Sequence, residues 1–191
     1  MSRVDQVISF WTDEIGEKNW YISDPDIDQK IRDRFAGDWA EAAEGGLGHW
    51  LTDARGTLAY LIVTDQFSRN LFRKDGRAFQ LDPQARAAAK MAMDNDWDQE
   101  IDVPLRQFFF LPLMHSENLI DQDRGVEVFA TRMGGENMNT LHAEAHREVI
   151  RRYGRFPHRN DMLGRTSSDA ERAYIADGGY GAIVRELQNK N

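Results

Sequence analysis

One segment of the chain, residues 54–72, is apolar on almost every side of a helix. Leu58, Leu61 and Ile62 form one stripe at helical spacing, and the residues beside them make the adjacent face apolar as well. Because a helix that is apolar nearly all round must be buried, the sequence predicts that other helices surround this one. Asp65 and Arg69 continue the stripe and therefore enter the protein interior.

Helical patterns also dominate the rest of the chain, and alternating strand patterns with hairpin turns are scarce. Asp24-Pro25 and Asp82-Pro83 are typical helix starts, Gly45-Gly46 and Gly154 are typical stops, and Ser167 or Ser168 resembles the start of a capping box. Further helices are predicted over 117–133 and 140–153. We therefore predict an all-α fold of antiparallel helical hairpins in a single domain, residues 1–191, with residues 181–191 either helical or frayed.

Composition excludes several classes of protein. The 32 acidic and 24 basic residues give a net charge of −8, the wrong sign for tracking phosphate backbones, so no nucleic acid partner is expected. The chain has no cysteine, which excludes disulfides, iron–sulfur clusters and a cysteine nucleophile. No export signal begins the sequence and no apolar run is long enough to cross a bilayer. We expect a cytoplasmic protein without membrane contact.

Two helical segments place polar residues on apolar faces. Asp65 and Arg69 are four residues apart, so they form either a buried ion pair that holds two layers together or part of a functional site. His142 and His146 are also four residues apart, and His146 points inward. Two such histidines can chelate one metal, but Glu144 does not directly follow the first histidine, as the metalloprotease signature requires. A core histidine and a functional histidine both remain open.

Two further polar clusters flank prolines. Pro112 kinks or restarts a helix and so can re-aim His115 and Glu117. Residues 155–160 pack two arginines, a histidine and an asparagine around Phe-Pro, directly after a helix. We expect the bundle to bring these groups together. The predicted catalytic residues are His115, Glu117, His158 and Asp65, and the predicted ligand-binding residues are Gln66, Arg69, Asn70, Arg77, His146, Arg155, Arg159 and Asn160.

Several groups of residues occur in a characteristic order: Phe10-Trp11, Arg34-Phe35, Asp65-Gln66-Phe67-Ser68-Arg69-Asn70, Arg77-Ala78-Phe79, Asp82-Pro83, Leu111-Pro112-Leu113-Met114-His115-Ser116-Glu117, His146-Arg147, Gly154-Arg155-Phe156-Pro157-His158-Arg159-Asn160 and Leu163-Gly164-Arg165. Over residues 4–179 the chain thereby resembles a bacterial family of unknown function, number 924 in the series of such domains. The resemblance implies a tetratricopeptide-like superhelix, although no repeat is legible. Ser68 stands where the family usually has proline, and the resemblance implies no function.

Three functions fit these residues. The first is a buried polar pocket for a small anionic or polar metabolite, with Arg69, Arg155 and Arg159 as clamps and a histidine as acid or base. The second is a non-catalytic scaffold that binds a protein or peptide in a groove. The third is a metal-dependent hydrolase in which His115, Glu117, His146 and His158 surround a zinc or manganese ion. Because no glycine-rich phosphate loop, Walker sequence or nucleophile elbow occurs, no cofactor is expected.

Overall fold

The computed structural model describes residues 1–133 and 138–190, and those residues form helices, turns and loops without a strand. The predicted all-α class is confirmed, whereas tetratricopeptide-like stacking and the single domain stay predictions. The chain divides into two compact units, Met1–Pro112 (unit 1) and Leu113–Asn191 (unit 2). Each unit is described by itself below.

Unit 1 is built from four longer helices joined by short 3₁₀ turns. Helix α1 is Arg3–Ser9 and continues as a π-helical segment, Phe10–Ile15; α2 is Pro25–Ala43; α3 comprises Ala54–Leu61, a π-helical segment Ile62–Phe67 and a last turn Ser68–Leu71; α4 is Asp82–Asp94. Asp24 caps α2 by accepting from the backbone N–H of Asp26, as its position before proline predicts.

Helix α3 lies at the centre of unit 1. It contacts α1, α2 and α4, and all of its residues are buried except Arg55 and Arg69. The predicted buried helix is therefore confirmed. Its burial follows from the sequence because apolar side chains cover nearly the whole circumference of the helix.

The two π-helical segments carry the rings of the aromatic core. The ring centroid of Phe67 lies 5.0 Å from that of Phe35 and 5.5 Å from that of Trp11. Next to it, the hydroxyl of Ser68 donates to the carbonyl of Thr64 at 2.6 Å and accepts from the indole N–H of Trp39 at 2.8 Å. Thr64 lies in the π-helical segment, where the turn is wider than in an α-helix. The hydroxyl of Ser68 gives its buried carbonyl a hydrogen-bond donor.

Unit 2 contains a short helix and four longer ones: α5 is Leu111–Met114, which runs into unit 2; α6 is Leu119–Arg132; α7 is Met138–Tyr153; α8 is Asp169–Ala176; α9 is Gly179–Gln188. Helix α7 packs against α6 and α9. Val149, Ile150, Phe156, Tyr174 and Ile183 belong to a buried apolar cluster that joins α7, α8, α9 and the loop after α7.

Several predicted helix ends are confirmed, and others are wrong by one or two residues. Gly154 has a φ of +70°, and Ser168 forms a capping box with Glu171, as predicted. The helix predicted from residue 117 begins at Leu119, because Asn118 is its cap. Asp82 is the first residue of α4 rather than its cap.

The described residues include no helix that is both long enough and apolar enough to cross a membrane.

Two glycines in helices of unit 1 give a matched test of this packing. A Cβ at Gly56 in α3 would lie 2.2 Å from the carbonyl oxygen of Trp50, whereas a Cβ at the exposed Gly37 in α2 would meet nothing within 4 Å. We expect Gly56→Ala to lower the free energy of unfolding by about 1–3 kcal/mol. Gly37→Ala should raise it by about 0.5–1 kcal/mol. Urea unfolding measures both, and equal effects would contradict the packing of α3.

Candidate functional site

Unit 2 brings three histidines and a tyrosine together. We call His115, His142, His146 and Tyr180 the histidine cluster. The ring of His146 lies 4.7 Å from that of Tyr180 and 6.3 Å from that of His115, and the rings of His142 and Tyr180 stack at 5.9 Å. His142 and His146 are one turn apart on α7, while Tyr180 is the second residue of α9.

Hydrogen bonds fix the orientation of the two α7 histidines. The Nδ1 atom of His146 lies 2.7 Å from the carbonyl oxygen of His142. A carbonyl only accepts, so Nδ1 of His146 carries the hydrogen and Nε2 carries a lone pair. The Nδ1 atom of His142 lies 2.6 Å from the hydroxyl oxygen of Tyr180.

The surroundings hold the α7 histidines in their neutral form. Burial lowers the pKa of His146 to about 3, helped by the nearby His115 and Arg159 and opposed by the hydrogen bond to the His142 carbonyl. Burial also lowers the pKa of His142 and raises that of the Tyr180 hydroxyl. At pH 7 these groups therefore offer hydrogen-bonding atoms without a charge.

Arg159 places a cation beside the neutral histidines. The residue is only 6% exposed, and its guanidinium carbon lies 4.4 Å from the centroid of the Phe156 ring. The ring of His146 also lies against Phe156, with its centroid 5.6 Å away in an edge-to-face arrangement. Phe156 therefore lies against both the cation and the histidine cluster.

Glu117 holds the loop that carries Phe156 and Arg159. Its carboxylate accepts two hydrogen bonds from Arg165, at 2.7 and 2.9 Å, and one from the backbone N–H of Phe156 at 2.8 Å. Burial raises the pKa of Glu117, but the hydrogen bonds and the charges of Arg165 and Arg159 outweigh burial and lower it overall. Glu117 is thus a charged anchor in this geometry, and its predicted catalytic role stays a prediction.

Two more predicted ligand residues take part in the same loop. Arg155 makes two hydrogen bonds to the buried carboxylate of Glu171, at 2.6 and 2.8 Å. The fully buried Asn160 donates to the hydroxyl of Ser167 at 3.0 Å and accepts from Arg165 at 3.0 Å. These contacts fix the backbone on either side of Arg159.

His158 is exposed and is one of the residues that line a cleft in unit 2. The cleft has a volume of about 670 Å³, and its lining includes Asp161, Arg165 and Arg172. The ring of His158 is 5.6 Å from that of Phe156. His158 and His146 thus both contact Phe156, one from the cleft and one from the histidine cluster.

The remaining predicted site residues belong to unit 1. Asp65 and Arg69 form the predicted ion pair at 3.5 Å, and Arg69 also pairs with Asp82 at 2.7 Å. The guanidinium of Arg69 donates to the carbonyl of Ala78 and lies 4.8 Å from the centroid of the Phe79 ring. This cation connects α3 with the turn before α4 and with the first residue of α4.

The neighbours of Asp65 and Arg69 are also bound within unit 1. Gln66 donates to the carboxylate of Asp65 at 2.5 Å, and Asn70 donates to Asp28 at 2.8 Å. Arg77 is exposed and pairs with Asp75 at 2.7 Å. That the candidate residues of both units form one site stays a prediction.

Sequence reasoning missed three residues of the site. Tyr180 is 38 residues from His142 and showed no local signal, and Arg165 is 48 residues from Glu117. Arg165 does lie within the residues that carry the family resemblance. His142 was also not among the predicted site residues. Its spacing of four residues from His146 was the signal that could have included it.

The geometry does not favour the metal-hydrolase hypothesis. Among residues 1–133 and 138–190, no group of three or more histidine, aspartate or glutamate side chains is placed to hold a metal ion. Both oxygens of Glu117 accept hydrogen bonds from Arg165, and His158 lies beside the cleft rather than in the histidine cluster.

The depressed pKa of His146 predicts a pH dependence of stability. Unfolded His146 binds a proton near pH 6.5, whereas the folded protein resists protonation of this residue until about pH 3. The unfolded state therefore holds more protons in this window, and stability falls as the pH falls, by up to about 1.4 kcal/mol per pH unit. We expect His146→Asn to reduce this slope between pH 6 and 4.5, measured by urea unfolding. The exposed His49 provides the control, His49→Asn, and an unchanged slope in His146→Asn would refute the prediction.

Glu171 gives a second test in a lower pH range. Hydrogen bonds from Arg155 and from the backbone of Ser168 lower its pKa from 4.5 to about 2. Its stabilising contribution is therefore complete above pH 4.5 and is lost as the pH falls toward 2. Glu171→Gln should be less stable than the wild type at pH 7, and the difference should shrink below pH 4.5. A difference that stays constant between pH 7 and 3 would contradict the geometry.

Comparisons with known proteins agree with the fold and give no activity. Comparison with curated proteins gave no match. The solved structure of the protein of unknown function ATU0120 from Agrobacterium tumefaciens is similar, with a TM-score of 0.86 and 34% identity, over 91% of this chain and 97% of that one. A family model described as bacterial protein of unknown function, DUF924, matches residues 7–179. This chain belongs to the DUF924 family.

Proposed function

We propose that Arg159 and the histidine cluster bind a small anionic metabolite. The observation that carries this proposal is the placement of a buried guanidinium and a neutral histidine against the same aromatic ring, Phe156. Small-molecule sites commonly combine aromatic walls with a few convergent polar groups of this kind.

Charge supports an anion rather than a cation. Arg159 is a permanent cation in a largely desolvated position, where an attraction to an anion is stronger than in water. His142 and His146 are neutral at pH 7, so they add no second positive charge beside it.

Two other arginines that the sequence suggested as clamps join parts of the fold. Arg155 is bound to Glu171, and Arg69 is bound to Asp82 and to the carbonyl of Ala78. The proposal places the clamp at Arg159 because Arg159 lies against the same ring as His146.

The same cluster offers neutral hydrogen-bonding groups. The Nε2 atom of His146 carries a lone pair, and the shifted pKa values of His146 and Tyr180 keep both groups neutral at pH 7. The proposal is therefore of binding, and catalysis by His115, Glu117, His158 and Asp65 stays a prediction. A cytoplasmic location is part of the proposal. A chain without cysteine fits a reducing compartment such as the cytoplasm, where it would meet small metabolites.

A titration with inorganic phosphate and with succinate tests the proposal. Binding of either anion near His146 should offset the effect of Arg159 and raise the pKa of His146, which imidazole NMR signals report. Arg159→Gln should weaken binding about tenfold or more, because a charge-assisted contact is lost.

Arg151→Gln is the matched control. Arg151 lies on α7, is exposed and pairs with Glu148, so its loss should leave binding unchanged. Near-UV circular dichroism checks that each variant is folded, and Arg159→Lys, which keeps the charge, replaces Arg159→Gln if that variant unfolds. Equal affinity in the wild type and Arg159→Gln, or no binding of either anion, would overturn the proposal.

A further inference from the structure

We propose that Asp177 is a modification site, where the bond to Gly178 converts to an isoaspartyl bond in the turn between α8 and α9. The sequence has two aspartates directly before glycine, Asp75 and Asp177. Because glycine has no Cβ, it leaves the peptide nitrogen uncovered and the backbone free to adopt the geometry of attack. The contacts of the two aspartates differ, and those of Asp177 permit the reaction. The modification does not depend on the proposed anion site.

The reaction uses only the two residues and water. The nitrogen of Gly178 gives up its proton and attacks Cγ of Asp177. That proton and the hydroxyl of the carboxyl group leave as water, and a five-membered succinimide ring forms. A water molecule then opens the ring. When it breaks the bond from the nitrogen to the main-chain carbonyl carbon, the chain runs through Cβ and Cγ, and the mass is unchanged.

The carboxylate of Asp177 is free to react. It is exposed and makes no hydrogen bond or ion pair with residues 1–133 or 138–190. Gly178 is also exposed, and its N–H donates to the carbonyl of Ile175 at 3.2 Å. This bond closes the last turn of α8. Because helix ends open at a low cost in free energy, the nitrogen of Gly178 becomes available without unfolding of unit 2.

Asp75 provides a contrast within the same chain. Its carboxylate accepts hydrogen bonds from the backbone N–H of Arg77 at 2.9 Å and from the Arg77 guanidinium at 2.7 and 3.1 Å. These bonds must break before Cγ can meet the nitrogen of Gly76. They also lower the pKa of Asp75, so less of the neutral acid, which is the better electrophile, is present. Asp75 is therefore protected where Asp177 is not.

The modification would alter the start of α9. An isoaspartyl bond adds one carbon atom, about 1.5 Å, to the main chain. Gly178 and Gly179 both have positive φ, at +100° and +54°, so the turn follows a narrow path into α9. Tyr180 follows directly, with its hydroxyl 2.6 Å from Nδ1 of His142. A longer chain at Asp177 therefore displaces Tyr180 from His142.

Enzymatic methylation, with a methyltransferase that labels only isoaspartyl groups, measures the reaction in the full chain during incubation at pH 7. Label should accumulate in the wild type, and fragmentation of the tryptic peptide 173–185 should locate it at Asp177. Asp177→Glu keeps the charge but cannot form the five-membered ring, so it should reduce the label about tenfold. Asp75→Glu is the matched control and should leave the label unchanged.

Two further measurements test the reasons given for the difference. Arg77→Gln removes the guanidinium that holds Asp75, so label should then appear at Asp75 as well. Labelled wild-type protein should unfold at a lower urea concentration than unlabelled protein, whereas incubation should not change the midpoint of Asp177→Glu. Equal label in the wild type and Asp177→Glu, or equal label at Asp75 and Asp177 in the wild type, would overturn the assignment.

Discussion

The hydrogen bonds of Glu117 decide where the candidate site can form. Glu117 lies just after α5 and binds both Arg165 and the backbone N–H of Phe156, so one carboxylate joins two distant parts of unit 2. A partly buried carboxylate with several charge-assisted hydrogen bonds is fixed in position. The loop that it holds presents Phe156 and Arg159, and the cation therefore lies beside His146.

Rigid surroundings explain how an unfavourable combination of groups persists. A buried cation next to neutral imidazoles is costly unless other contacts stabilise the structure. In unit 2 those contacts are the Arg155–Glu171 pair, the Asn160 network and the apolar cluster of α7, α8 and α9. The depressed pKa of His146 is one consequence of this arrangement, and functional sites are where such shifts are concentrated.

Local signals predicted much of the fold but little of the site's architecture. The buried α3, the proline helix starts and the Ser168 capping box follow from spacing within one or two turns. The inward direction of His146 followed from the same periodicity. In contrast, the contacts of Tyr180 with His142 and of Arg165 with Glu117 join residues that are 38 and 48 positions apart. Such contacts depend on how helices pack, which no short sequence pattern encodes.

The Asp65–Arg69 pair shows the same division between helix pattern and tertiary contact. Its four-residue spacing predicted an ion pair inside α3, and the structure has one at 3.5 Å. Its second partner, Asp82, became visible only in the fold. The pair joins α3 to α4 in unit 1, as expected of an ion pair that holds two layers together. A role of the pair in binding stays a prediction.

A crystal structure of the protein grown with selenate would test the central claim most directly, because selenium marks a bound anion by its anomalous scattering. The account predicts an anomalous peak within hydrogen-bond distance of the Arg159 guanidinium, adjacent to the ring of His146. Peaks only at exposed arginines, such as Arg172 or Arg151, would contradict it.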